Sequence, residues 1–106
     1  MVESAPRPRS MVLDEFIPLV SQPFTVDATP AEISIILVEA KPLKPNDYAE
    51  RPPFLLIFSS APDVMLVAGH YAMAAKGFGP DLIYIAQTNP PPGDKSGRHY
   101  YQAVFN

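Results

Sequence analysis

Two histidines, His70 and His99, are the side chains of this sequence best suited to metal binding or acid–base chemistry. Neither has a second histidine at helical spacing, and the chain contains no cysteine, so a zinc site would need ligands gathered from several separate segments. A histidine that makes ordinary hydrogen bonds on a strand or turn explains both positions more simply. We therefore expect no metal and no cofactor.

Two short segments superficially resemble catalytic motifs. Ser59 and Ser60 follow an apolar run, but the Gly-x-Ser-x-Gly pattern of a nucleophile elbow is missing. The segment 93–97 reads Gly-Asp-Lys-Ser-Gly, whereas a phosphate-binding loop needs Gly, four residues and then Gly-Lys-Ser/Thr between a strand and a helix. Neither segment predicts a catalytic residue, and we expect a protein that is not an enzyme.

A basic and aromatic stretch, Arg98-His99-Tyr100-Tyr101, has a composition that can stack single-stranded bases on a sheet. Strand alternation would send the two tyrosines to opposite faces, and the net charge of the chain is −3, so no nucleic-acid partner is expected. The candidate interaction surface combines this stretch with two tyrosines from earlier segments: Tyr71, Tyr84, Arg98, His99 and Tyr101. The loops 76–80 and 90–97 are further candidates for contact, because loops often carry binding residues.

The length and composition favour one folded domain. The chain has 106 residues with 47% hydrophobic and 18% charged residues, which excludes a wholly disordered chain and leaves room for one small core. We expect a flexible arm over 1–9 and a single β domain over 10–106. No apolar stretch is long enough to span a membrane, and acidic residues at 14 and 15 interrupt a secretion signal, so a bacterial cytoplasmic protein without a membrane partner is expected.

A short helix is predicted near the start of the domain. Leu13, Phe16, Ile17 and Val20 recur at the spacing of one helical face, and Ser10 can serve as the N-cap. Pro18 lacks a backbone N–H and clashes with the preceding turn, so the regular helix should end by about residue 17.

The remainder of the chain has the pattern of short strands. Six segments are rich in β-branched and aromatic residues and are bounded by proline or glycine: 23–27, 32–41, 53–59, 64–73, 81–87 and 99–105. Gly69 within the fourth segment predicts a bulge or a break into two short strands. Without helical patterns between them, these strands predict an all-β fold: a small antiparallel barrel or curled meander of about six strands with one short N-terminal helix.

Several of these strands are apolar on both faces. In 33–38 and in 54–58 every residue except Ser34 is hydrophobic, whereas an antiparallel strand with one wet face should alternate. The second face requires a cover, which the curled sheet, the helix or another subunit can supply. A homo-oligomer is therefore one of the two expectations, beside covering within the chain.

Taken in order, these segments resemble a family of short uncharacterised bacterial proteins made of a helix and a small antiparallel β domain, over residues 11–106. The resemblance rests on Phe16, Leu19-Val20, Phe24-Thr25-Val26, the strand 54–58, Gly69-x-Tyr71, Met73, Gly79 before Ile83-Tyr84-Ile85, and the ending Tyr-x-Ala-Val-Phe-Asn at 101–106. It implies an accessory role beside phage-tail-like or tail-collar-like proteins. The chain departs from the family pattern at Ala75-Lys76, where His-Pro is frequent, and at Ser21, where glycine is usual, so a hairpin histidine is not carried over.

Two functions follow as expectations. The first is a non-enzymatic structural or protein-interaction module that uses a sheet face or edge, with a protein partner or a second copy of itself. The alternative is a small-ligand-binding barrel or enzyme with its site at the barrel mouth, near Tyr71, Tyr84, His99 and Tyr101.

Overall fold

Six antiparallel strands form the wall of a closed barrel in the computed structural model, which describes residues 11–45 and 52–105. The strands are β1 (Pro23–Asp27), β2 (Glu32–Pro42), β3 (Phe54–Ser60), β4 (Gly69–Ala75), β5 (Phe78–Thr88) and β6 (His99–Phe105). Around the barrel they follow the order β1-β2-β3-β6-β5-β4, and β4 pairs back to β1. The prediction of a mainly β, six-stranded antiparallel barrel is confirmed.

The predicted helix forms as two consecutive 3₁₀ helices, Leu13–Glu15 and Ile17–Leu19. Their turns are closed by bonds of the 3₁₀ type, from the N–H of Phe16 to the oxygen of Leu13 and from the N–H of Leu19 to the oxygen of Phe16. Pro18 prevents a continuous α-helical ladder, yet it is tolerated in the first turn of the second helix, which therefore extends past residue 17. The predicted arm 1–9 and the N-cap Ser10 lie outside the described residues.

The fourth strand candidate is broken at Gly69, as predicted, but one strand results and not two. Only the part from Gly69 onward is a strand, β4, and residues 64–68 belong to the connection that leaves β3. That connection crosses one end of the barrel, because β3 and β4 are not neighbours in the wall. Leu66 in this connection is buried.

The hairpin between β4 and β5 is tighter than the predicted loop 76–80, because β5 already begins at Phe78. Gly79 takes a φ of +76°, and a Cβ there would lie 2.4 Å from the backbone oxygen of Met73. Glycine is therefore required for the close approach of the two strands, where the register shifts between Met73 and Ala75.

Inward-facing side chains fill the barrel, and each strand alternates between them and outward residues. The fully buried core is apolar and aromatic: Met11, Phe16, Phe24, Ile35, Leu37, Phe54, Leu56, Phe58, Met73, Ile83, Ile85, Tyr101 and Ala103 are each no more than 1% exposed. Phe16 closes one barrel end, since its ring centroid lies 5.0 to 5.9 Å from those of Phe54, Phe78 and Phe105. The 3₁₀ helices thus cap an end of the barrel.

None of the helices among the described residues is long and apolar enough to cross a lipid bilayer.

Candidate functional site

The barrel end opposite Phe16 is closed by a hydrogen-bond network around Tyr101. The Tyr101 hydroxyl lies 2.8 Å from Ser60 Oγ and accepts a hydrogen bond of 3.0 Å from the N–H of Leu66. Ser60 Oγ donates its hydrogen to the oxygen of Val64 at 2.9 Å, so Tyr101 must be the donor to Ser60. Both side chains are fully buried, and the network fixes the 61–68 connection over the barrel end. Tyr101 is therefore part of the interior, and its predicted place on an interaction surface stays untested.

His99 stands beside the same connection. Its Nε2 lies 3.1 Å from the oxygen of Pro62. A carbonyl oxygen only accepts, so Nε2 carries a hydrogen and donates it to Pro62. His99 is half-buried and joins β6 to the connection.

Arg98 lies over the outer face of β3. Its Nε donates to Ser59 Oγ at 2.6 Å, and an Nη donates to the backbone oxygen of the same serine at 3.4 Å. Ser59 has the outward parity of its strand yet is only 2% exposed, because the guanidinium group covers it. Arg98 is half-buried, and its other N–H groups remain available to a ligand.

Tyr71 and Tyr84 lie on the β4–β5 hairpin. The Tyr71 hydroxyl donates to the oxygen of Val67 at 2.7 Å, while the Tyr84 ring packs against His70 on the outside at a centroid distance of 5.0 Å. Neither tyrosine lines the open cleft to which His99 belongs, and Tyr101 does not line it either. The structure thus separates the residues of the predicted mouth site: Tyr101 inside, Tyr84 outside.

An open cleft of about 400 Å³ lies beneath the loop between β5 and β6. Most of the residues that line it, from the end of β5, the loop and the start of β6, are polar: Gln87, Thr88, Asn89, Asp94, Arg98, His99 and Tyr100. The register brings the two strand ends together, because Thr88 pairs directly with Tyr100. Of the predicted surface residues, Arg98 and His99 belong to this cleft.

Asp94 is the acidic group of the cleft. It accepts hydrogen bonds from Ser96, from the backbone N–H at 3.2 Å and from the hydroxyl at 3.0 Å. Desolvation raises the pKa of Asp94, but the hydrogen bonds from Ser96 and Tyr100 and the charge of Arg98 outweigh it, so its pKa lies below the ordinary value. The carboxylate is therefore ionised at neutral pH and shares the cleft with the Arg98 cation.

Sequence reasoning missed the contribution of Gln87, Thr88 and Asn89 to this cleft, whereas Asp94 lies in the loop 90–97 that was named as a candidate. A usable signal was present: polar residues occupy the last positions of one strand and the loop that returns to the next. Their convergence depends on the strand register, which the local pattern does not specify.

A second feature of the same wall is an apolar strip, here called the outer strip, formed by Leu55 and Ile57 of β3 and Val104 of β6. Leu55 is paired directly with Val104, and Ile57 has the same outward parity. Val104 is 50% exposed, and the two β3 side chains are half-buried. This strip is the second apolar face that the sequence predicted for β3, and the described residues cover it only in part.

The described residues contain no cluster of three or more histidine, cysteine, aspartate or glutamate side chains that could hold a metal ion.

Comparison with known proteins places the chain in a family but assigns no activity. No curated protein and no solved structure matches the sequence. A family model, described as a domain of unknown function (DUF6916), matches residues 11–105, which covers the whole barrel and both 3₁₀ helices. The chain therefore belongs to the DUF6916 family.

Proposed function

We propose that the protein is a non-enzymatic protein-interaction module that binds a folded partner through the outer strip. The observation that carries this proposal is the exposure of Val104 beside the half-buried Leu55 and Ile57. Adjacent aliphatic side chains on the outside of a strand pair gain free energy when a partner removes them from water, at about 25 cal/mol per Å². The surface is therefore suited to a protein with an apolar patch of its own.

The closure of the barrel supports an outward-facing function. Phe16 fills one end, and the Tyr101 network holds the 61–68 connection over the other. The interior is packed with side chains that are almost fully buried, so an interior ligand would have to displace core residues. Binding on the outside requires no such rearrangement.

The border of the strip supplies polar groups that a partner can use for orientation. Lys41 and Glu39 of β2 lie opposite Leu55 and Ile57, and their side chains form an ion pair at 3.8 Å. Gln102 of β6 lies opposite Ile57. An apolar centre with a polar rim is the usual arrangement of a protein interface.

The family resemblance of the sequence suggests the kind of partner. The resemblance implies relatives that accompany phage-tail-like or tail-collar-like proteins, and on that basis we propose that this module is an accessory of such an assembly. The physical requirement on the partner is the same in any case: an apolar patch that matches a surface two strands wide.

The substitution Val104→Lys tests the proposal, with Thr25→Lys as the matched control because Thr25 is an exposed β-branched residue on the outer face of β1. Each protein is mixed with purified candidate partners encoded beside it, and complex formation is measured by size-exclusion chromatography with light scattering. We expect wild type and Thr25→Lys to bind one candidate equally, and Val104→Lys to weaken binding about tenfold or more, because it buries an unpaired charge.

Self-association is measured in the same runs. A homodimer that Val104→Lys abolishes supports the same surface with a second copy as the partner. The proposal is wrong if no candidate binds and the wild type remains monomeric at every concentration, or if Val104→Lys binds as tightly as the wild type.

A further inference from the structure

The cleft beneath the 89–98 loop is separate from the outer strip and differs from it in chemistry. It lies where β5 ends and β6 begins, and its volume of about 400 Å³ is within the range of small-molecule sites, roughly 300–1,000 Å³. Its polar lining is unsuited to the apolar partner surface that the strip would take. A ligand of the cleft would therefore differ in chemistry from a partner of the outer strip.

The charges in the cleft balance. Arg98 brings one positive charge and the ionised Asp94 one negative charge, and the two lie close enough for the Arg98 charge to lower the pKa of Asp94. A phosphate or carboxylate ligand would meet the Asp94 carboxylate, and a cationic ligand would meet the Arg98 guanidinium. A neutral ligand meets neither repulsion.

The residues that line the cleft include both hydrogen-bond donors and acceptors. Gln87 and Asn89 each carry an amide with two donors and one acceptor oxygen, and Thr88 adds a hydroxyl that does both. Arg98 donates only, while Asp94 accepts only. Such a set can satisfy a ligand whose groups are themselves both donors and acceptors, and hydroxyl groups are the commonest of these.

The cleft also has apolar surfaces, in the Tyr100 ring and in Pro90. The C–H face of a sugar ring packs against such surfaces, while its hydroxyl edge reaches the amides and charged groups. From the balanced charge, the mixed hydrogen-bonding groups and the size of the cleft, we propose that it binds a neutral saccharide of one or two sugar units.

The site is held in place by the fold and needs no large rearrangement on binding. Arg98 is fixed by its two bonds to Ser59, and Asp94 by its bonds to Ser96. Gly97 of the loop lies against Pro62, since a Cβ there would be 3.8 Å from the proline ring atoms. Side chains fixed before binding lose little entropy when a ligand arrives.

The test is a titration of ¹⁵N-labelled protein with glucose, galactose, mannose, N-acetylglucosamine and their disaccharides, followed by amide chemical shifts. We expect at least one sugar to shift the signals of 87–89 and 98–100 in a saturable way. Gln87→Ala removes one hydrogen-bonding amide and should weaken that binding roughly fivefold. Gln22→Ala, which changes an exposed glutamine outside the cleft, should bind as the wild type does.

Thermal unfolding of both variants shows whether they remain folded, and both positions are exposed, so we expect little change. Inorganic phosphate and acetate are titrated in parallel. The proposal is overturned if no sugar shifts the cleft signals at high millimolar concentration, if phosphate or acetate binds there instead, or if Gln87→Ala and Gln22→Ala weaken sugar binding equally.

Discussion

Tyr101 both fills part of the core and holds the 61–68 connection over one end of the barrel, so that this end is closed to a ligand. Its phenol ring is part of the core. Its hydroxyl is hydrogen-bonded both to Ser60 of β3 and to Leu66 of the 61–68 connection, a segment that is not part of a strand. Removal of that oxygen would leave the N–H of Leu66 buried without an acceptor, which is more costly than the net value of a hydrogen bond. The Tyr101 hydroxyl is therefore the buried member of a set of bonds that hold the 61–68 connection, beside those of Ser60, Tyr71 and His99.

The substitution Tyr101→Phe is accordingly expected to lower the free energy of unfolding by about 1–3 kcal/mol. The ring volume is kept, so the loss reports the hydroxyl group alone. Tyr84→Phe is the control, because Tyr84 is 51% exposed, and it should change stability by less than about 0.5 kcal/mol. Urea unfolding followed by circular dichroism measures both, and equal stabilities of the two variants would contradict the assigned role of the network.

The contrast between Tyr101 and its neighbours also explains why the site residues were hard to predict. Tyr100 and Tyr101 are chemically identical and adjacent, yet one lines a cleft and the other is fully buried. Alternation predicts opposite faces but does not say which face is the interior. The pairing of Tyr101 with Phe58 decides it, and that contact joins residues far apart in the sequence.

At the scale of elements, the strands were predictable and the connections less so. Runs of β-branched and aromatic residues located five strands within a few residues, since their side chains suit a pleated, half-buried surface. The stretch 64–68 was equally apolar but crosses the barrel end, where Leu66 is buried without being in a strand. Hydrophobicity alone cannot separate these two environments.

The two neighbours of β6 in the barrel wall pair with it over different lengths. β3 and β6 are joined by seven residue pairs, from Phe54 with Phe105 to Ser60 with His99, whereas β5 and β6 are joined by three, from Ala86 with Gln102 to Thr88 with Tyr100. The last residues of β6, 103–105, thus pair with β3 alone. Backbone groups that face β5 in this stretch lack a ladder partner there.

Amide hydrogen exchange should reveal this difference along β6. In 100–102, which pair on both sides, every amide should exchange slowly. In 103–105 the rates should alternate, with amides that face β5 exchanging about tenfold or more faster than those bonded to β3. Residue-resolved exchange by NMR measures this directly. Uniformly slow exchange from 100 to 105 would contradict the prediction, because it would show that 103–105 are also hydrogen-bonded on the side that faces β5.

At the scale of the whole molecule, both barrel ends are closed by segments outside the wall. Residues 61–68 cover one end, and the 3₁₀ helices cover the other through Phe16. A chain of this size buries a limited fraction of its surface, so it uses nearly all inward side chains as core and leaves no interior for a ligand. Both proposed binding surfaces accordingly lie on the outside of the barrel: the outer strip on β3 and β6, and the cleft where β5 ends and β6 begins.

This arrangement makes the stability of the whole barrel depend on Phe16, although Phe16 lies between two 3₁₀ helices that have little stability alone. Phe16 is fully buried against the rings of Phe54, Phe78 and Phe105. Phe16→Ala should therefore cost about 3–5 kcal/mol, a large part of the roughly 5–15 kcal/mol that stabilises a typical domain.

Ile17→Ala is the matched control, because Ile17 follows in the same segment but is 51% exposed, and it should cost less than about 1 kcal/mol. Urea unfolding gives both values, and binding of a hydrophobic dye reports whether the capped end has opened. Equal costs for the two variants would mean that the N-terminal segment merely lies on the barrel. A large cost for Phe16→Ala alone would establish that residues from outside the wall complete the core and contribute a large part of its stability.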